Sequence, residues 1–305
     1  MRCRHIIVAL ALMHACGAAL GAAPLVERVS FASFDLDGHG EPLMLRAMLF
    51  RPAGSQGKRI PAVIALHGCG GMYSVVKSRR DELSVRHQKM AELLVDEGYA
   101  VLFPDSFRSR GTRQICTQLE RERTIRTTHR RLDVLASLAY LQDERTDVAG
   151  DRIAVLGWSH GGSTLLASVN ANAPAVQRFR DSDRAPFFRS AIAFYPGCVD
   201  SENARPAFEP AAALLMLVGA SDDWTSPRPC IRLAERLNRG VTLVSIVVYP
   251  DTYHGFDGPS TQPRVRLDVP NGVNPGKGVT VAVNAVARED AYARMKAFLR
   301  ETLTQ

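Results

Sequence analysis

The stretch that most limits what this chain can become is Arg152-Ile-Ala-Val-Leu-Gly-Trp-Ser-His-Gly-Gly162. Residues 153–156 form an unbroken apolar run and read as a buried strand. Gly157-Trp-Ser-His-Gly161 follows at once and fits the pattern G-x-S-x-G, which sets a serine at the apex of a sharp strand-to-helix turn. Backbone at such an apex is strained, so the flanking positions do best without a Cβ. The first N–H groups of the helix then point toward charge that forms beside the serine. Taken alone, three fixed positions recur by chance in roughly one chain of this length in ten. Between a strand and the helix-like run 163–169 the pattern weighs far more than the competing reading, an ordinary glycine-rich turn.

A length of 305 residues allows one large domain or two small ones. With 46% hydrophobic and 23% charged residues, the composition is that of a globular chain with ample core material. Residues 1–22 stand apart. Arg2 and Arg4 precede an apolar run over 6–20, and Gly21, Ala22 and Ala23 follow, the order of a secretory signal. The run is short for a membrane span. The expectation is therefore a signal peptide, 1–22, and a single domain, 23–305, exported to the periplasm or beyond without stable membrane insertion. An uncleaved anchor is the alternative, and Met13-His14-Ala15 is a poor approach to a lipidated Cys16.

Beyond that segment the cysteines are Cys69, Cys116, Cys198 and Cys230. An even number in an oxidising compartment suggests two disulfides. Of three pairings, Cys198–Cys230 and Cys69–Cys116 are favoured: the first two each follow a strand in the second half, and the other two sit on loops after neighbouring strands. Four reduced thiols are the competing reading. No C-x-x-C or histidine cluster has zinc spacing, so neither metal nor cofactor is expected. The formal charge of +7 owes much to Arg121, Arg123, Arg126, Arg130 and Arg131. Such a run attracts anionic substrates or surfaces, or is one solvated helix face. No recognition motif accompanies it, so nucleic acid is not an expected partner.

Residues 26–34 and 43–50 alternate as two antiparallel strands joined at Asp37-Gly-His-Gly40. Continuous apolar runs at 62–66, 100–103, 191–194, 213–218 and 243–248 join 153–156 as buried strands, with Pro104 expected to stop the second run. Helical patterns fall between them, around Met90, Leu93 and Leu94 up to Gly98, at Leu132, Leu135, Ala136 and Ala139, and near 231–237. A last helix carries Ala291, Met295, Phe298 and Leu299 on one face. Apolar strands alternating with helices give a parallel α/β sheet covered on both faces. Residues 261–280, rich in Pro, Gly and Asn, read as a surface excursion with a strand pair near the site mouth.

In an open α/β sheet the site lies beyond the carboxyl ends of the strands. Ser159 as nucleophile needs an adjacent base, and the order Ser, acid, His selects His254, which follows the last strand. His67, His87 and His129 precede the elbow, and His160 is too close to Ser159 to bond its hydroxyl well. The acid lies in Gly219-Ala-Ser-Asp-Asp223; Asp222 is preferred as the carboxylate that orients the imidazole. Asp223 is left to the turn before Pro227, and Asp200 and Asp251 are weaker rivals. Two backbone N–H groups would form the oxyanion hole, those of His160 and of Cys69 in His67-Gly-Cys-Gly-Gly71. That loop lacks the Lys-Ser/Thr ending of a phosphate-binding loop. Arg110 reads either as an anion clamp or as a structural ion pair. Trp158, Trp224, Tyr253 and Phe256 flank triad positions and line the pocket or fill the core.

Taken together, His67-Gly-Cys-Gly-Gly71, Pro104-Asp-Ser-Phe-x-x-Arg-Gly111, Gly157-Trp-Ser-His-Gly-Gly162, Phe194-Tyr-Pro-Gly-Cys198, Gly219 to Cys230 and His254-Gly-Phe-Asp257 resemble the dienelactone hydrolase family of α/β-hydrolases, from about residue 28 to the end. The resemblance implies a mostly parallel eight-stranded sheet with helices on both faces and a triad of Ser159, Asp222 and His254. It also implies a small-molecule ester or lactone substrate. The family's founding enzymes use a cysteine nucleophile and open a cyclic enol-lactone. Here a serine stands in its place, and the groups that hold their substrate's carboxylate have no obvious match, which points to ester hydrolysis in general. A prolyl-oligopeptidase-like peptidase would need a gating domain that this length cannot hold. A silent binding protein on the same scaffold is disfavoured by a complete Ser, Asp, His order.

Overall fold

The alternation of residues 26–34 and 43–50 becomes an antiparallel pair, β1 (Leu25–Leu36) and β2 (Pro42–Arg51), with Val26 opposite Phe50. The computed structural model describes residues 23–184, 186–239, 244–260 and 262–304, so the expected signal peptide and Leu243 lie outside the described residues. The apolar runs become β3 (Ile60–Leu66), β4 (Ala100–Asp105), β5 (Val148–Trp158), β6 (Ser190–Phe194), β7 (Ala213–Gly219) and β8 (Val244–Tyr249). These join β1 and β2 in one eight-stranded sheet of order β1-β2-β4-β3-β5-β6-β7-β8. Every neighbour pair from β4 to β8 is parallel.

Among the described residues seven α-helices accompany the sheet: α1 (Val85–Asp96), α2 (Thr127–Asp143), α3 (His160–Val169), α4 (Pro174–Arg180), α5 (Val199–Glu202), α6 (Arg228–Leu237) and α7 (Ala285–Leu303). Alternate residues of each central strand serve two cores. Ile64, Val155 and Leu214 pack with Leu135, Leu166 and Leu233 of α2, α3 and α6. Val63, Ala154 and Leu215 pack on the other face with Met90 and Leu94 of α1 and Met295 and Leu299 of α7. Both faces of these strands are covered, which is why their sequences are apolar without a break.

Pro104 does not stop the fourth strand as expected. The parallel ladder to β3 ends at Leu102, and from there to Asp105 the strand pairs with β2 alone, an edge-like setting in which proline is tolerated. The excursion forms the strand pair β9 (Arg264–Arg266) and β10 (Val279–Val281), antiparallel and separate from the main sheet. Cys69 is bonded to Cys116 and Cys198 to Cys230, with S–S distances of 2.04 and 1.99 Å. Among the described residues no helix is long and apolar enough to cross a membrane.

Candidate active site

Ser159 sits between the end of β5 and the start of α3 with φ 53° and ψ −120°, a conformation that a non-glycine residue holds only when its surroundings over-determine it. Those surroundings are tight. A Cβ on Gly157 would lie 2.4 Å from the Gly161 carbonyl oxygen, and one on Gly161 would lie 2.2 Å from that of Leu66. The Ser159 N–H donates to the Phe194 carbonyl at 2.9 Å, locking the turn to the end of β6.

Two other strand ends bring partners to the serine. His254 Nε2 lies 2.9 Å from Ser159 Oγ, and Nδ1 lies 2.8 Å from Asp222 Oδ2. All three residues are buried. The carboxylate only accepts, so the imidazole proton sits on Nδ1 and Nε2 is free to accept from the serine hydroxyl. Asp222 is itself held: Oδ1 accepts from the Trp224 and Thr225 N–H groups at 2.9 and 2.8 Å, and Thr225 Oγ1 lies 3.0 Å from Oδ2. The Tyr195 and Trp224 rings flank the imidazole, with centroids 4.6 and 4.7 Å away.

Asp223 does not serve the turn before Pro227, as expected; Asp222 caps that turn. Asp223 instead accepts from the N–H and hydroxyl of Thr280, both at 2.7 Å, and its carbonyl accepts from the Val273 N–H at 2.8 Å. It fastens the excursion beside the site. Asp200 lines the cavity, and Asp251 occupies a positive-φ turn after β8.

A cavity of about 910 Å³ opens over Ser159. Its wall includes Cys69, His160, Arg123, Arg126 and Trp224, with Pro270, Val273 and Pro275 of the excursion. Three expected pocket residues are not on that wall. Trp158 is buried under the turn with its Nε1 on Asp257, because strand alternation turns it into the core. Phe256 is core as well, and Tyr253 is exposed on the neighbouring loop. Arg110 is no anion clamp: two carboxylates saturate its guanidinium, which donates to both Asp133 oxygens at 2.8 and 2.9 Å and to Asp35 Oδ2 at 2.6 Å.

The Cys69 and His160 amides, expected to stabilise an oxyanion, have no backbone acceptor among the described residues. The loop that carries Cys69 is fixed from behind. His67 Nδ1 donates to the Gly68 carbonyl at 2.8 Å and Nε2 accepts from the Ser106 N–H at 3.3 Å, so its ring is neutral. Burial first, and then the Arg130 charge, push its pKa well below the usual histidine range. Arg130 escaped the sequence reading, hidden in a run that looked like a solvated face. It is fully buried, its Nη2 donates to the His67 carbonyl at 2.8 Å and its Nη1 meets His160 Nδ1 at 2.8 Å. Burial lowers its pKa to about 9, which leaves it charged at neutral pH. The only sequence signal was its register, one turn beyond Arg126 on the apolar side of α2.

The sheet order and the strand-to-helix elbow are those of the α/β-hydrolase fold. The chain matches the model of the dienelactone hydrolase family over residues 45–303 and belongs to that family. No curated protein matches it in sequence. Among solved structures it is similar to the dienelactone hydrolase-like promiscuous phosphotriesterase P91 from metagenomic libraries, at 18% identity and a TM-score of 0.63, covering 92% of this chain and 99% of that one. It is also similar to esterase 2 of Thermogutta terrifontis phosphorylated by paraoxon, at 14% identity and a TM-score of 0.58, covering 92% and 94%. At these identities the likeness speaks to fold.

Proposed function

We propose that the protein is a serine hydrolase that cleaves carboxylic esters, lactones included, through an acyl-enzyme. The observation that carries this reading is the hydrogen-bonded chain from Ser159 Oγ through both nitrogens of His254 to Asp222. Ser159 Oγ attacks the ester carbonyl carbon while His254 Nε2 takes the hydroxyl proton. The carbonyl electron pair moves onto oxygen, where the Cys69 and His160 amides donate to it. Collapse expels the alcohol oxygen, which leaves with the proton from His254. Water then attacks the acyl-enzyme and gives a proton to the same nitrogen. The bond to Oγ breaks, the proton returns to serine and the acid departs. Asp222 stays ionised and holds the imidazole in the tautomer that both steps need.

The family membership supports hydrolysis, and the two disulfides support maturation in an oxidising compartment, so the enzyme is read as exported. The Thermogutta esterase is described as phosphorylated by paraoxon, and Ser159, with its hydroxyl on His254, should likewise accept organophosphates here. A fluorophosphonate probe tests the reading. Wild type should label and Ser159→Ala should not, with loss of aryl-ester turnover in the same variant. Labelling or turnover that survives Ser159→Ala would refute it.

A further inference from the structure

We propose that the His160 side chain is a substrate-selecting group: an imidazole kept uncharged with its proton on Nε2, offering that N–H to an acceptor oxygen carried by the ester close to its reacting carbonyl. The inference rests on the serine-hydrolase reading and adds a substrate class to it, esters whose acyl or alcohol part bears an ether, hydroxyl, oxo or carboxylate oxygen.

The tautomer follows from the partner. A guanidinium has five N–H donors and no acceptor, and Arg130 Nη1 stands 2.8 Å from His160 Nδ1. Nδ1 must therefore accept, and the single proton of a neutral ring sits on Nε2. Protonating Nδ1 as well would aim two N–H bonds at each other between two cations. Arg130 cannot swing away, because it is fully buried and anchored on the His67 carbonyl. Arg123, on the cavity wall, adds further positive charge; burial, Arg130 and Arg123 all press the imidazole pKa well below its usual range. Of the carboxylates around this cluster, Asp133 and Asp105 act on Arg130 and Glu120 acts on Arg123.

The other nitrogen is free. Nε2 has no hydrogen-bond partner among the described residues, yet it is not among the buried unpaired polar atoms, and His160 lines the cavity next to Ser159. Arg123 and Arg126 lie along the same wall with no ion-pair partner at contact distance among the described residues; Glu120, whose charge acts on Arg123, and Asp200 are the acidic groups that share the wall. Much of the remaining wall is apolar, with Trp224, Pro270, Val273 and Pro275. A plain alkyl ester would leave the His160 donor facing nothing once water is expelled, which costs the free energy of an unmade hydrogen bond. An ester with an oxygen in reach would satisfy it.

The test compares matched esters in which one methylene becomes an ether oxygen at constant length. On the acyl side the pair is p-nitrophenyl butyrate and methoxyacetate; on the alcohol side it is n-butyl and 2-methoxyethyl butyrate. The readout is the oxygenated-to-alkyl ratio of kcat/KM, in wild type over His160→Phe, so that intrinsic ester reactivity cancels. For at least one pair the ratio should drop by about tenfold in the variant, the worth of one hydrogen bond, and His160→Gln should restore part of it. Equal losses on both members of both pairs would overturn the proposal. Should His160→Phe fail to fold, histidine-labelled wild type answers by NMR: His160 should stay singly protonated, on Nε2, where a free imidazole gains its second proton, and a doubly protonated ring or an Nδ1 proton there would overturn the proposal. If Ser159→Ala keeps its turnover, the serine-hydrolase reading fails instead, whatever the ratios do.

Discussion

Trp158 Nε1 donates to Asp257 Oδ2 at 2.8 Å, joining the residue before Ser159 to the third residue after His254. The same carboxylate accepts from the Tyr195 hydroxyl at 2.6 Å, and Arg86 Nε lies 3.1 Å from it. One buried anion thus sets the separation of three strand ends, and with it the reach of the imidazole toward the serine oxygen.

Asp257→Asn should therefore do two things. Arg86 loses its counter-charge in a largely buried site, which should destabilise the fold by about 3 kcal/mol. Turnover should fall with little change in KM, because the loop that carries His254 is loosened and not the cavity wall. A denaturant midpoint equal to that of wild type would refute the first expectation, and a change confined to KM the second.

The two neighbouring aspartates should separate cleanly. Asp222→Asn offers the imidazole an amide in place of an anion and should lower kcat by roughly 10³–10⁴. Asp223→Asn weakens the hold on Thr280 while leaving the main-chain bond to Val273 in place, so its effect should appear in KM and in substrate preference. Steady-state kinetics on one aryl ester distinguishes them, and a large kcat loss confined to Asp223→Asn would reverse the assignment.

The Cys69–Cys116 bridge spans 47 positions, and chain entropy puts its contribution near 4 kcal/mol. Cys69 also carries one of the amides proposed to hold the oxyanion. Cys116→Ser should thus cost activity at temperatures where the protein is still folded, visible as a lower kcat below the melting transition. Unchanged kcat there would mean that the loop keeps its shape without the bridge.

Acid should weaken the fold before the carboxylates titrate. His67, His87 and His160 are all held neutral, with desolvation the first cause in each; for His87 the pKa falls to about 4. In the unfolded chain each binds a proton below about pH 6.5, while the folded state does not. Stability should be fully present above that pH and decline as the pH drops, with the His87 part exhausted below its folded value. Denaturant midpoints between pH 7.5 and 4.5 measure the slope, and a flat profile would be incompatible with three rings held neutral in the folded state.

Much of this could be read from the chain before any fold was seen, for a physical reason. A strand covered on both faces has to be apolar throughout, so β3 to β7 announce themselves; the edge strand β8, with Ser245 and Val248 exposed, is legible only from its β-branched run, and the elbow leaves a glycine wherever backbone meets backbone. The side chains that chose between two fates were harder. Trp158 and Trp224 both flank triad positions, yet strand alternation turns the first inward and the loop leaves the second on the cavity wall. Arg110 and Arg130 look alike in sequence. One ends between two acids and the other beneath the cavity, because partners 23 and 63 residues away decide the matter.

The excursion of residues 262–281 touches both loops that bear the proposed acid and base. Thr280 holds Asp223, next to Asp222, while Val281 bridges to His254 and the Ala282 N–H donates to the His254 carbonyl. Insertions in an ordinary surface connection cost little. Here the connection behaves like the keystone of an arch: shortening or swapping it to reshape the cavity would also release the two side chains proposed to activate the serine, so this rim can be redesigned only with β10 left in place.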